Sequence, residues 1–178
     1  VAHEILADKL LADLREYLKS NPAQLDYRRT RTDDLGIRLV EADQSQYLGK
    51  KVADWNIALD PAEHHFDSLA DIKLPLEKAG GYLITAEIAG GNKSAIAYWL
   101  NDTAIVKKNS EGKSLFFVAD AKTGRPRAGV NVEFFGYRTE YNYSGSKPNF
   151  RILTQEERER SDNDGLLELN ATDGSNPY

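Results

Sequence analysis

The chain has no cysteine and no methionine among its 178 residues. The first absence removes disulfides, thiolate zinc sites and cysteine nucleophiles together, and leaves the compartment open. No run of about 18 apolar residues is present to span a bilayer as a helix, so no direct membrane insertion is expected. No basic-then-apolar leader opens the sequence either. The first residue is valine, and with methionine missing this reads as a piece of a longer protein, so the missing leader says nothing about where that protein goes.

Positive charge is also short. The net charge is -5, which gives no electrostatic footprint for nucleic acid, whose binding draws on Lys and Arg neutralising phosphates. The basic knot Arg28, Arg29 and Arg31 is answered at once by Asp33 and Asp34, as on a solvated face. Histidine is scarce, and Glu63-His64-His65 with Asp67 and Asp71 is the one cluster with metal-ligand residue types. Adjacent histidines in an extended chain point to opposite faces, so a loop pair is expected and no metal site. Asp162, Asp164 and Gly165 open like a calcium loop, but the twelfth position falls on Asp173, where the closing Glu should stand. A Gly-x-Ser-x-Gly elbow is missing, and Gly124 and Gly129 are turn residues that open no helix and so cradle no phosphate. No catalytic residue and no cofactor are expected.

What is present is the patterning of a β protein with a helical start. Hydrophobic residues make up 40% and charged residues 29% of the chain, an ordinary soluble-domain balance. His3 to Lys19 carries Leu6, Leu10, Leu14 and Leu18 at spacing four, an amphipathic helix ended by Ser20-Asn21-Pro22. A second, weaker helix is predicted from Asp33 to Leu48, with Thr32 as cap and Gly49 as terminator. From Lys51 the period changes to two. Strands are predicted at Trp55, Ile57 and Leu59, at Ile72, Leu74 and Leu76 with Pro75 marking an edge, and at Tyr82, Ile84, Ala86 and Ile88. Gly90-Gly91-Asn92 turns that last strand into Ile96, Tyr98 and Leu100, which continues to Val106. Lys107 to Gly112 reads as a linker between two sheet domains.

The most informative stretch is Lys113 to Arg138 with its distant partner Ser161 to Leu169. The apolar run Leu115 to Ala119 suits a strand covered on both sides, and Val130, Val132 and Phe134 alternate with Asn131 and Glu133. Lys122 to Gly129 connects the two strands, and Asp162-Asn163-Asp164-Gly165 is a strong turn signal. Tyr137 to Gln155 reads as a long loop or irregular hairpin followed by an exposed charge run, Glu156 to Arg160. Its aromatics Tyr137, Tyr141, Tyr143 and Phe150 could line an interaction surface for sugar or protein, or pack the loop onto its own sheet. Phe116-Phe117 and Phe134-Phe135 are adjacent pairs, so one member of each needs cover outside the main core, expected from a neighbouring domain. The fold class expected is mainly β, with antiparallel β-sandwich domains behind an α-helical N-terminal segment. The divisions are 1–49 for the helical lead, 50–108 for one sandwich and 109–178 for a second, truncated one.

Two series of residues carry a resemblance. Lys78-Ala79-Gly80-Gly81-Tyr82-Leu83-Ile84-Thr85 resembles the strand entry of macroglobulin-like domains. Leu115 to Pro126, then Ala128-Gly129-Val130-Asn131-Val132, then Ser161-Asp162-Asn163-Asp164-Gly165 is similar to the V-x-D-x-x-T-G-x-P-x-x-G-V-x-V … T-D-x-D-G series of the same domains. Ser161 stands where Thr is usual, and Arg127 where an apolar residue is usual. Over roughly residues 50 to 170 the chain resembles the N-terminal macroglobulin domains of bacterial α2-macroglobulin-like proteins. The resemblance implies macroglobulin or immunoglobulin-like sandwiches and a non-catalytic, structural part in a broad-spectrum protease trap. It further implies a periplasmic, cell-surface or extracellular setting, with neighbouring domains of the parent chain and, through that chain, target proteases as partners. The alternative is a carbohydrate- or protein-binding module of another bacterial surface protein.

Overall fold

The computed structural model describes residues 1–30, 39, 45–59, 63–65, 69–142 and 149–170. The chain is mainly β, with antiparallel sheets and one long helix near the N-terminus. It divides into two units, Val1–Ala7 with Thr32–Leu100 and Asp8–Arg31 with Asn101–Tyr178. Residues 1–49, read from the sequence as a helical lead, are shared between them. Among the described residues no helix is long and apolar enough to cross a membrane.

The first unit is built on strands β1 (Ala2–Ile5), β2 (Leu48–Ala53), β3 (Gly80–Glu87) and β4 (Lys93–Leu100), in the order β2-β1-β3-β4. The expected helix start at His3 is corrected here: His3 lies in β1, whose backbone is paired with β2 on one side and β3 on the other. A ladder on both sides outweighs the helical spacing of the leucines, and the helix begins only at Ala7. Tyr82 and Ile84 project to one face with Ala2, and Ala53, Trp55, Leu74, Leu76, Tyr98 and Leu100 pack around them. The strands predicted at Trp55–Leu59 and Ile72–Leu76 do not form. Those segments run without regular pairing, and Trp55, Leu74 and Leu76 are packed against the apolar face of the sheet. Pro75, with no N–H to give, is part of the reason. The hairpin at Gly90-Gly91-Asn92 forms as expected, with Gly90 at φ +69 and Glu87 opposite Lys93. Gly81 lies against Trp99, where a Cβ would sit 2.5 Å from the indole.

Most of the predicted second helix, residues 33–38 and 40–44, lies outside the described residues. Its end does not: Ser45–Tyr47 is a short 3-10 turn, and Leu48 and Gly49 already belong to β2.

The second unit has three layers. Strands β5 (Thr103–Ser110), β6 (Lys113–Asp120) and β9 (Leu166–Asn170) form a sheet in the order β5-β6-β9. Strands β7 (Asn131–Asn142) and β8 (Asn149–Arg160) form a two-stranded ribbon with unbroken register from Asn131–Arg160 to Asn142–Asn149. Helix α1 (Ala7–Lys19) with the short helix α2 (Tyr27–Thr30) completes the unit. The residues expected to link two domains, Lys107 to Gly112, are instead the end of β5 and its hairpin turn into β6, with Gly112 at φ +71. Of the two readings for Tyr137–Gln155, loop or irregular hairpin, the strands over 137–142 and 149–155 follow the hairpin, in regular register. Polar and charged residues fill strand positions there because each face of the ribbon needs only alternate apolar side chains.

Alternation on β7 explains the layering. Val132 and Phe134 pack on Phe116, Val118, Leu167 and Leu169 of the neighbouring sheet, with the Phe116 and Phe134 rings 4.8 Å apart. Phe135 and Tyr137 point the other way, onto Leu18, Leu25 and Ile152 with Leu14 and Tyr17. The cover that Phe135 requires thus comes from α1, within the same unit. Phe117 stays half-buried on the opposite face of β6, paired with the exposed Val106 and Leu166. The both-sided cover expected for Leu115–Ala119 is therefore partial.

Candidate functional site

The residues of the second resembled series, from Asp120 to Gly165, converge at one end of the β5-β6-β9 sheet. Strand β6 ends at Asp120, whose Oδ1 accepts hydrogen bonds from the Lys122 N–H (3.1 Å), the Thr123 N–H (2.9 Å) and the Thr123 hydroxyl (2.9 Å). The side chain thereby builds the turn, a role for which a short carboxylate is suited. Gly124 takes φ +68, and its N–H donates to the Asp120 carbonyl at 2.9 Å. On the other oxygen, Asp120 Oδ2 accepts Arg127 Nη2 at 2.8 Å. Arg127 Nη1 donates to the Thr103 hydroxyl at 2.8 Å and lies 3.4 Å from Asp102 Oδ2. One guanidinium therefore joins the start of β5 to the end of β6, using its forked donors on three partners.

The second motif locks into the first. Asp162 Oδ1 accepts the N–H groups of Asp164 (2.9 Å) and Leu166 (2.8 Å), closing the turn that Gly165 completes at φ +74. The Val118 N–H donates to the Gly165 carbonyl at 2.7 Å, and the Arg127 N–H donates to the Val118 carbonyl at 2.9 Å. Three backbone segments meet there. A Cβ on Gly165 would lie 2.5 Å from the Val118 oxygen and 3.2 Å from the Arg127 nitrogen, so glycine is required by space as well as by φ. Ser161 is 4% exposed; its hydroxyl donates to the Arg127 carbonyl (2.7 Å) and accepts from the Val130 N–H (2.9 Å).

The electrostatics follow from these contacts. The Arg127 guanidinium, then the Thr123 N–H and hydroxyl, hold the Asp120 carboxyl well below the usual carboxylate range. The Thr103 hydroxyl and then Arg127 lower Asp102, and Asp120 above all raises Arg127. Both Asp120 oxygens are engaged, so the cluster is a charged joint whose donors and acceptors are met by its own side chains and backbone. Arg127, which departs from the resembled series, is its hub. The only signal for it in the sequence is a basic residue shortly after a strand that ends in Asp, a pattern too common to single out.

The aromatic residues expected as an interaction surface separate. Tyr137 and Phe150 pack against the Leu18, Leu25 and Ile152 cluster. Tyr141 is 52% exposed and lies opposite Phe150, ring centroids 5.3 Å apart. Tyr143 lies outside the described residues. Beside α1, a shallow groove of about 630 Å³ is lined by Leu11, Arg15, Lys19, Glu133, Glu156 and Arg158. Its walls are crossed by the ion pairs Arg15–Glu133 (3.2 Å), Arg158–Glu133 (3.1 Å) and Lys19–Glu156 (2.7 Å). Among the described residues no three His, Asp or Glu side chains converge as metal ligands. His64 is exposed, at φ +60, with Nε2 3.6 Å from Glu63 Oε1.

No protein-family model matches the chain, and comparisons with curated proteins and with solved structures find no match.

Proposed function

We propose that this chain is a non-catalytic structural segment of a bacterial α2-macroglobulin-like protease trap, made of macroglobulin-like β-sandwich domains. The observation that carries the reading is the joint itself. Asp120, Thr123, Ser161 and Asp162, four of the polar side chains of the resembled series, are spent on turns and on the crossing of Val118, Arg127 and Gly165. Residues used in this way serve a scaffold. The packing of Phe134 onto Phe116 between ribbon and sheet fits a sandwich. The row Val106, Phe117 and Leu166, open on the far face of that sheet, fits contact with a neighbouring domain of the parent chain. On this reading the parent is periplasmic or at the cell surface, and this segment needs no cofactor or metal of its own.

The test uses the full parent protein. It is incubated with a protease, and residual cleavage of a large protein substrate is compared with that of a small peptide. A trap abolishes the first and spares the second, because the enclosed enzyme keeps an open active site. Cleavage of both substrates at undiminished rates rejects the reading.

A binding module is the second reading, and the exposed Tyr141, its ring tilted against Phe150, favours it. Loss of sugar or protein retention in a Tyr141→Ala variant that melts like the parent would support that reading over the first.

A further inference from the structure

The polypeptide passes between the two units at residues 7/8, 31/32 and 100/101. Residues 8–31 lie in the second unit, while the chain on both sides of them lies in the first. A break between Leu100 and Asn101 thus separates a C-terminal fragment lacking its helical layer from an N-terminal fragment that carries it. The contacts across that layer are specific. Leu18 is 1% exposed and Ile152 6%, with Leu14, Tyr17, Phe135 and Tyr137 packed around them. Lys19 pairs with Glu156 at 2.7 Å and Arg15 with Glu133 at 3.2 Å along the rim. Asn21, at φ +49, turns the chain out of the helix and accepts the Ile152 N–H on its Oδ1 at 2.7 Å.

Each of these contacts joins a residue before position 100 to one after it, or is buttressed by one that does. We infer that Asp8–Arg31 is an intramolecular ligand of the β7–β8 ribbon, and that it holds the chain together when the backbone is cut between Leu100 and Asn101. The recognition is that of an amphipathic helix seated on an aromatic strand face. A leucine stripe fills the apolar centre, a basic flank meets acidic rim residues, and an asparagine at the helix end caps a strand N–H. Asn101 and Asp102 are exposed, so the junction is open to cleavage. The inference stands apart from the protease-trap reading.

The experiment inserts a recognition sequence for a site-specific protease between Leu100 and Asn101 of the full chain and cuts the folded protein. Size-exclusion chromatography in native buffer is expected to return both fragments at the volume of the uncut chain. Leu18→Ala should raise the dissociation constant of the cut protein by about 30-fold or more, as emptying a fully buried leucine site does. A surface pair gives a second handle that leaves the core untouched: Lys19→Glu weakens the association and Glu156→Lys on the other fragment restores it. Fragments that part in native buffer overturn the inference. So does a cut protein whose association is indifferent to both Leu18→Ala and the charge exchange.

Discussion

Gly165 shows how much a single position can be asked to satisfy. Its φ of +74 disfavours any L residue by about 1–2 kcal/mol. The Val118 oxygen 2.5 Å from a would-be Cβ is backbone and cannot swing aside. Gly165→Ala is therefore expected to destabilise the second unit by more than about 2 kcal/mol, measured by urea unfolding. A cost of only a few tenths would show that the three-segment crossing is looser than described. At Asp120 the prediction concerns pH. Arg127, Thr123 and Lys122 face the carboxyl, with Asp102 and Thr103 beyond the guanidinium. Its pKa is lower folded than unfolded, so its contribution is fully present above the unfolded value of about 3.9 and is lost as pH falls through the folded one. In an acid titration of stability, Asp120→Asn should be less stable at pH 7 and lose less below about pH 5. An acid limb identical to that of the unsubstituted chain would remove Asp120 from the account. At this scale the turn glycines and the Asp-x-x-Thr-Gly turn were legible, since φ and short side chains leave local marks. Arg127 was not, because Asp102 and Thr103 come beside Asp120 only once the β5–β6 hairpin has formed.

Among the elements, helix α1 tied to ribbon β7–β8 is the most informative. Lys19 in its last turn and the left-handed Asn21 before Pro22 give it an ordinary ending, readable from Ser20-Asn21-Pro22. What the sequence could not tell was the helix's destination. Asn21→Gly isolates one part of that docking, since glycine keeps the positive φ while removing the acceptor for the Ile152 N–H. The expected cost is about 1 kcal/mol in denaturant unfolding, with faster exchange of the Ile152 amide. An unchanged midpoint and unchanged exchange would mean that the hydrogen bond contributes nothing. Strand errors have a common cause. Trp55–Leu59 and Ile72–Leu76 alternate as strands do, yet lack partners, whereas Ala2–Ile5 is too short to show a period but has two. Alternation marks the face a strand would bury, but without pairing no strand forms, and Ile57, Leu59 and Ile72 stay exposed. The ribbon was left open between loop and irregular hairpin for the complementary reason, its polar residues resembling a loop while its register runs unbroken over twelve pairs.

For the whole molecule the organising fact is that neither unit is a continuous stretch of chain. Composition and turn signals placed β regions in the right half of the sequence, but nothing in a linear reading reveals that residues 8–31 pack with residues 101–178. Long-range assignment of that kind depends on surfaces, here Leu14 and Leu18 against Phe135 and Ile152. Native-state hydrogen exchange across the full chain, read by mass spectrometry or NMR at rising denaturant, tests this most directly. Amides of residues 10–19 are expected to lose protection in step with those of 131–142 and 149–160. Helix amides that instead open together with β1, β3 and β4 would contradict this.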